Sequence, residues 1–131
     1  MDFLPPFELI KTFITFSTVK GELTITASHE QFTAMIREFI ESVEVDEAWY
    51  LTQYPGIADA IRDGIVASAK DHFLHNGYFE GRLPHLIKVD EKWYCEQNPD
   101  VVASLAAGTI ESGQQHFIEN GYREGRRPYP P

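Results

Sequence analysis

Between Thr12 and Val19 the chain is rich in Thr, Phe, Ile and Val, and beyond Lys20-Gly21 the residues Leu23, Ile25 and Ala27 alternate with Thr24 and Thr26. A period of two on both sides of a glycine-containing pair predicts a β-hairpin, with Gly21 supplying the positive φ of a tight turn. The period then changes. Ser28 stands three residues before Gln31, a capping-box spacing, and Phe32, Met35, Ile36, Phe39, Ile40 and Val43 recur at helical intervals. These positions predict a helix from His29 to Val43 with an inward-facing apolar stripe that covers one face of the hairpin.

From Val45 onward the pattern repeats itself. The segment Val45 to Pro84 aligns without a gap on Val89 to Pro128, an offset of 44 residues, and 18 of the 40 aligned positions are identical. Internal similarity at a fixed period is the mark of a repeat architecture. Asp46 and Asp90 are placed to cap a helix whose fourth residue, Tyr50 or Tyr94, packs back on Val45 or Val89 as a hydrophobic staple. Pro55 and Pro99 stop that helix and suit the first turn of the next, which Gly64 and Gly108 end. Ser68 and Ser112 cap a third helix, with Asn76-Gly77 and Asn120-Gly121 as its expected ends. The expected fold is mainly α with a small N-terminal β-hairpin, followed by tandem helical repeats of three short helices each. Its expected parts are a hairpin plus amphipathic helix over 1–44, a first repeat over 45–84, and a second repeat with a Pro-rich tail over 85–131.

Both copies close on Gly-Tyr-x-Glu-Gly-Arg-x-Pro. A Glu two residues before an Arg in a Gly-containing turn most simply ties the turn to itself or to a neighbouring helix end. Tyr78, Glu80 and Arg82, with Tyr122, Glu124 and Arg126, are also the candidate interaction residues, because Tyr and Arg are enriched at binding hot spots.

The pattern Asp-x-x-Trp-Tyr, then Pro-Asp-Val, then His-Phe-x-x-x-Gly-x-x-Glu-Gly-Arg-x-Pro resembles a short helical repeat of bacterial surface-polysaccharide and glycosyltransferase-associated proteins. The resemblance spans about 80 of the 131 residues. It implies an association with polysaccharide synthesis or export. Gly56 departs from the pattern where the second copy keeps Asp100, and Cys95 stands where the first copy has Leu51.

Composition narrows the function classes. A net charge of −9, with no net basic segment, disfavours nucleic acid and anionic lipid as partners. No apolar run approaches the roughly 18 residues of a membrane span. The opening Met1-Asp2-Phe3-Leu4-Pro5-Pro6 lacks the basic and apolar regions of a secretory leader, and the single Cys95 cannot form an intramolecular disulfide. A cytoplasmic location is the resulting expectation.

No nucleophile elbow, P-loop, dinucleotide fingerprint or HExxH motif occurs. Cys95 occupies a leucine-equivalent position with nothing local to activate it, so no catalytic residue and no cofactor are expected. The expected function is a non-catalytic adaptor or scaffold that binds a protein partner, with two chains forming a homodimer by pairing their hairpins edge to edge or by stacking them. Two alternatives stay open. One is glycan binding, with Trp49 and Trp93 stacking on sugar faces. The other is a metal site formed by His72, Glu80, His116 and Glu124.

Overall fold

The computed structural model describes residues 3–131; Met1 and Asp2, which open the stretch read for a leader, lie outside them. The chain is mainly helical with one two-stranded antiparallel hairpin, and it divides into two compact units, 1–44 and 45–131. Among the described residues no helix is long and apolar enough to cross a membrane.

In the first unit a short helix α1 (Phe7–Ile10) runs into a 3-10 turn at Lys11–Phe13, so the first strand starts three residues later than the composition suggests. Strands β1 (Thr15–Val19) and β2 (Glu22–Thr26) pair with Val19 opposite Glu22 and Phe16 opposite Ile25. Lys20 and Gly21 both take positive φ, the two-residue turn whose twist matches that of the flanking strands. This register places Phe16, Thr18, Leu23 and Ile25 on one face, and Ser17 and Thr24 on the other, where their hydroxyls bond at 2.8 Å.

Helix α2 (His29–Ile40) opens with both hydrogen bonds of the capping box between Ser28 and Gln31. It ends three residues before the expected Val43. The expected inward stripe is only partly buried: Ile40 is buried, whereas Phe32 and Phe39 are exposed. The helix packs against the Lys11–Phe13 turn, and the apolar face of the hairpin stays open, with Leu23 70% and Ile25 59% exposed. An apolar groove of about 500 Å³, lined in part by Ile14, Ile25, Phe32 and Met35, lies between hairpin and helix.

The second unit runs twice through the same order of elements. Helix α3 (Glu47–Gln53) is capped by Asp46, whose carboxylate accepts from Trp49 N–H at 3.1 Å. Helix α4 (Pro55–Arg62) starts on its proline, and Gly64 beyond it takes φ +75°. Helix α5 (Ala69–His72) is capped by Ser68 and widens into a π turn at Phe73–Gly77. The second passage gives α6 (Glu91–Gln97) capped by Asp90, α7 (Pro99–Ala107) ending on Gly108 at φ +74°, and α8 (Gly113–His116) capped by Ser112 and continued by a π turn at Phe117–Gly121. Each passage closes on its own start: Asp46 N–H donates to the Pro84 carbonyl at 3.1 Å, and Asp90 N–H to that of Pro128 at 3.0 Å.

The helical runs end at Gly77 and Gly121 as expected, and in the first passage a 3-10 turn follows at Tyr78–Glu80. Gly77 keeps helical dihedrals, φ −59°, and the left-handed residues come four positions later at Gly81 and Gly125. Gly77 and Gly121 are required for a different reason. A Cβ at either would collide with the hydroxyl of Tyr50 or Tyr94, which passes directly over the backbone there.

Tyr50, Ile57, Ala69 and Phe73 are buried in the first passage, and Leu83, Val89, Tyr94, Val101 and Phe117 form one cluster centred on the second. Leu83 and the partly buried Trp49 come from the first passage, so the two share this core.

Candidate functional site

The side chains that recur in both passages form two internal networks. Tyr50, with no exposed surface, places its hydroxyl 2.7 Å from His72 Nδ1, and Tyr94 stands 2.8 Å from His116 Nδ1. Burial pushes the Tyr50 phenol up to about 12 and lowers His72 below its usual range. At neutral pH the pair is therefore a neutral phenol bonded to a neutral imidazole. This arrangement explains the duplicated His-Phe: the histidine is the hydrogen-bond partner of a buried tyrosine, and Phe73 or Phe117 packs edge-on against the same tyrosine ring.

Stability against pH follows from those shifts. The raised Tyr50 pKa contributes stability that is complete below pH 10 and is lost as pH rises through about 12, on the order of 3 kcal/mol. The lowered His72 pKa acts on the acid side: its contribution is complete above pH 6.5 and declines as pH falls through the folded-state value. Urea midpoints measured from pH 5 to 12 should show both slopes. Tyr50→Phe should make the alkaline one shallower, leaving the part that the raised Tyr94 and Tyr122 phenols contribute.

The turns that close each passage hold the candidate interaction residues. Arg82 Nε donates to Glu80 at 2.9 Å, and Arg126 Nε donates to Glu124 at 2.6 Å, so each turn is tied to itself. Tyr78 and Tyr122 pack edge-on against Phe73 and Phe117. Tyr78 remains 37% exposed, whereas burial raises the Tyr122 phenol.

Beyond that common frame the two arginines differ. Arg126 grips Asp100 through both terminal nitrogens at 2.8 Å and donates to Asn98 Oδ1 at 2.9 Å, fastening the turn to the start of α7. This bidentate pair holds the Asp100 carboxyl down at about 2. In the first passage Tyr54 replaces Asn98 and Gly56 replaces Asp100. Arg82 lies over the Tyr54 ring at 4.8 Å, and the Tyr54 hydroxyl accepts from Leu83 N–H at 3.0 Å. Asp100 was noted from sequence only as the residue missing at Gly56, and Tyr54 and Asn98 were given no role there. The signal available there was their position: they are mismatches between otherwise matching copies, lying beside identical residues.

The remaining candidates are dispersed. His72 and His116 are engaged by tyrosines while Glu80 and Glu124 are engaged by arginines, so the four do not converge, and no group of three or more metal-ligating side chains comes together among the described residues. Trp49 stands edge-on to Tyr54 and packs on the second core, and Trp93 is also half-buried, so the two rings do not form an open stacking platform. Cys95 is half-buried against that core, and burial raises its thiol pKa, as does Glu91.

A cleft of about 330 Å³ opens beside Arg82, lined also by Gln53, Tyr54, Glu80, Glu119 and Arg123. Comparison with protein-family models, curated proteins and solved structures finds no match to this chain.

Proposed function

We propose that this chain is a non-catalytic interaction protein, in which two tandem copies of one helical unit present their closing turns to a protein partner and the N-terminal unit joins two chains into a homodimer. The observation that carries the reading is the open apolar face of the hairpin. Phe16, Leu23 and Ile25 project from one side of a two-stranded sheet whose outer edges pair with no strand among the described residues, and Phe32 and Phe39 add to the exposed apolar surface of the same unit. Isolated two-stranded hairpins are marginal in water, and exposed apolar clusters of this kind mark contact surfaces. A second copy supplies matching strands and a matching apolar face. Edge-to-edge pairing or face-to-face stacking satisfies both needs by two-fold symmetry.

Replacing Leu23 and Ile25 together by Glu tests the surface. Both side chains are exposed in the single chain, so the fold should persist while self-association weakens about 100-fold or more. Unchanged self-association in the folded variant would remove the hairpin from the interface.

The proposed setting is the cytoplasmic side of bacterial surface-polysaccharide synthesis or export. It rests on the resemblance of the repeat motif alone. Crosslinking in the native host, read by mass spectrometry, should recover proteins of that machinery; recovery of unrelated partners would overturn the setting and leave the self-association to stand separately.

A further inference from the structure

Repeated units that differ at one charged contact show what that contact requires. In the second passage the guanidinium of Arg126 is saturated: Glu124 takes Nε, Asp100 takes both terminal nitrogens, and Asn98 shares one of them. In the first passage Glu80 takes Nε of Arg82, and the two terminal nitrogens have no protein acceptor among the described residues. The carboxylate is missing because Gly56 stands at the position of Asp100, and the space a Cβ would enter at Gly56 is open. Arg82 is held in place by its stacking on Tyr54 and its bond to Glu80, and it lines the cleft that also contains Gln53, Glu119 and Arg123.

The geometry points to this cleft as a binding site for a carboxylate carried by a small polar molecule of sugar-acid or amino-acid size, which engages Arg82 as Asp100 engages Arg126. An arginine whose planar fork is fixed and half-satisfied is suited to bidentate carboxylate recognition. Gln53, Glu80, Glu119 and the Tyr54 ring edge provide polar neighbours for hydroxyl or amide groups on the same molecule. Among the lining side chains the two arginines balance the two glutamates, so recognition depends on the fork geometry of Arg82 and not on an excess of positive charge. Arg123 is already committed, since its guanidinium donates to the Glu119 carbonyl at 2.6 Å. The site goes beyond the protein-contact reading and does not depend on dimerisation through the hairpin.

The test is a titration of the full chain with glucuronate and, separately, N-acetyl-aspartate amide, following by NMR the arginine side-chain N–H signals and, in every variant, the backbone amides of the cleft residues Gly81, Glu119 and Arg123. Saturable shifts of the Arg82 signal at millimolar concentrations are expected. The tighter of the two ligands tells a sugar acid from an acidic peptide group as the source of the carboxylate. Gly56→Asp, which supplies the carboxylate in cis, and Arg82→Gln should each weaken binding about tenfold or more, with thermal melts showing that both variants remain folded. The inference is overturned if the wild-type chain binds neither compound, if chloride produces the same Arg82 shift, or if either folded variant binds as the wild type does.

Discussion

Gly77→Ala should destabilise the helical unit by about 2–4 kcal/mol, and the same substitution in a Tyr50→Phe background should cost little beyond Tyr50→Phe itself. The Cβ of an alanine at 77 has one severe contact, the Tyr50 hydroxyl; its next neighbours are His72 Nδ1 at 3.4 Å and Tyr50 Cζ at 3.5 Å, both at ordinary contact distance. Relief by moving the tyrosine is blocked, because its ring is fully buried and its hydroxyl is bonded to His72. Removing the oxygen clears the space at the cost of an unpartnered imidazole nitrogen, about 1–2 kcal/mol. Urea denaturation of the four chains in this cycle should therefore give strongly non-additive free energies. Additive costs would mean that Gly77 is needed for its backbone alone. Gly121 and Tyr94 repeat the geometry and should repeat the result.

Phe117→Ala should cost about 3–5 kcal/mol, whereas Phe79→Ala should cost under about 1 kcal/mol. Phe117 is 1% exposed within the cluster of Leu83, Val89, Tyr94 and Val101, where loss of the ring leaves a cavity that these neighbours fill only in part. Phe79 is 40% exposed and already borders water. Because Leu83 and Trp49 reach this cluster from the first passage, the Phe117 variant should lower the melting of residues 45–131 as one transition. Separate melting of the two passages, with only the second affected, would contradict a shared core.

Local chemistry was legible along the chain wherever one residue satisfies a backbone group nearby. Ser28, Asp46, Ser68, Asp90 and Ser112 each cap the helix predicted for them, and the Lys20-Gly21 turn sets the hairpin register. What escaped the reading depends on distant contacts. The Asn-Gly pairs end their helical runs as their composition suggests, but composition does not show that a tyrosine hydroxyl arriving from more than twenty residues away makes the glycine a packing requirement. Helical spacing placed Phe32 and Phe39 on an apolar stripe, but spacing does not say whether anything packs on it, and both are exposed. The Glu-Arg tie within each closing turn was expected from its spacing. A tie to a neighbouring helix end was the other expectation, and the grip of Arg126 on Asp100 at the start of α7 provides it; spacing did not name the partner 26 residues away, although the Gly56 mismatch marked the place where the copies diverge.

The most direct test of the interaction reading is sedimentation equilibrium of the intact chain from nanomolar to high micromolar concentration. A reversible monomer–dimer equilibrium is expected, which the paired Leu23 and Ile25 substitutions shift to monomer. A wild-type chain that remains monomeric throughout that range would contradict it.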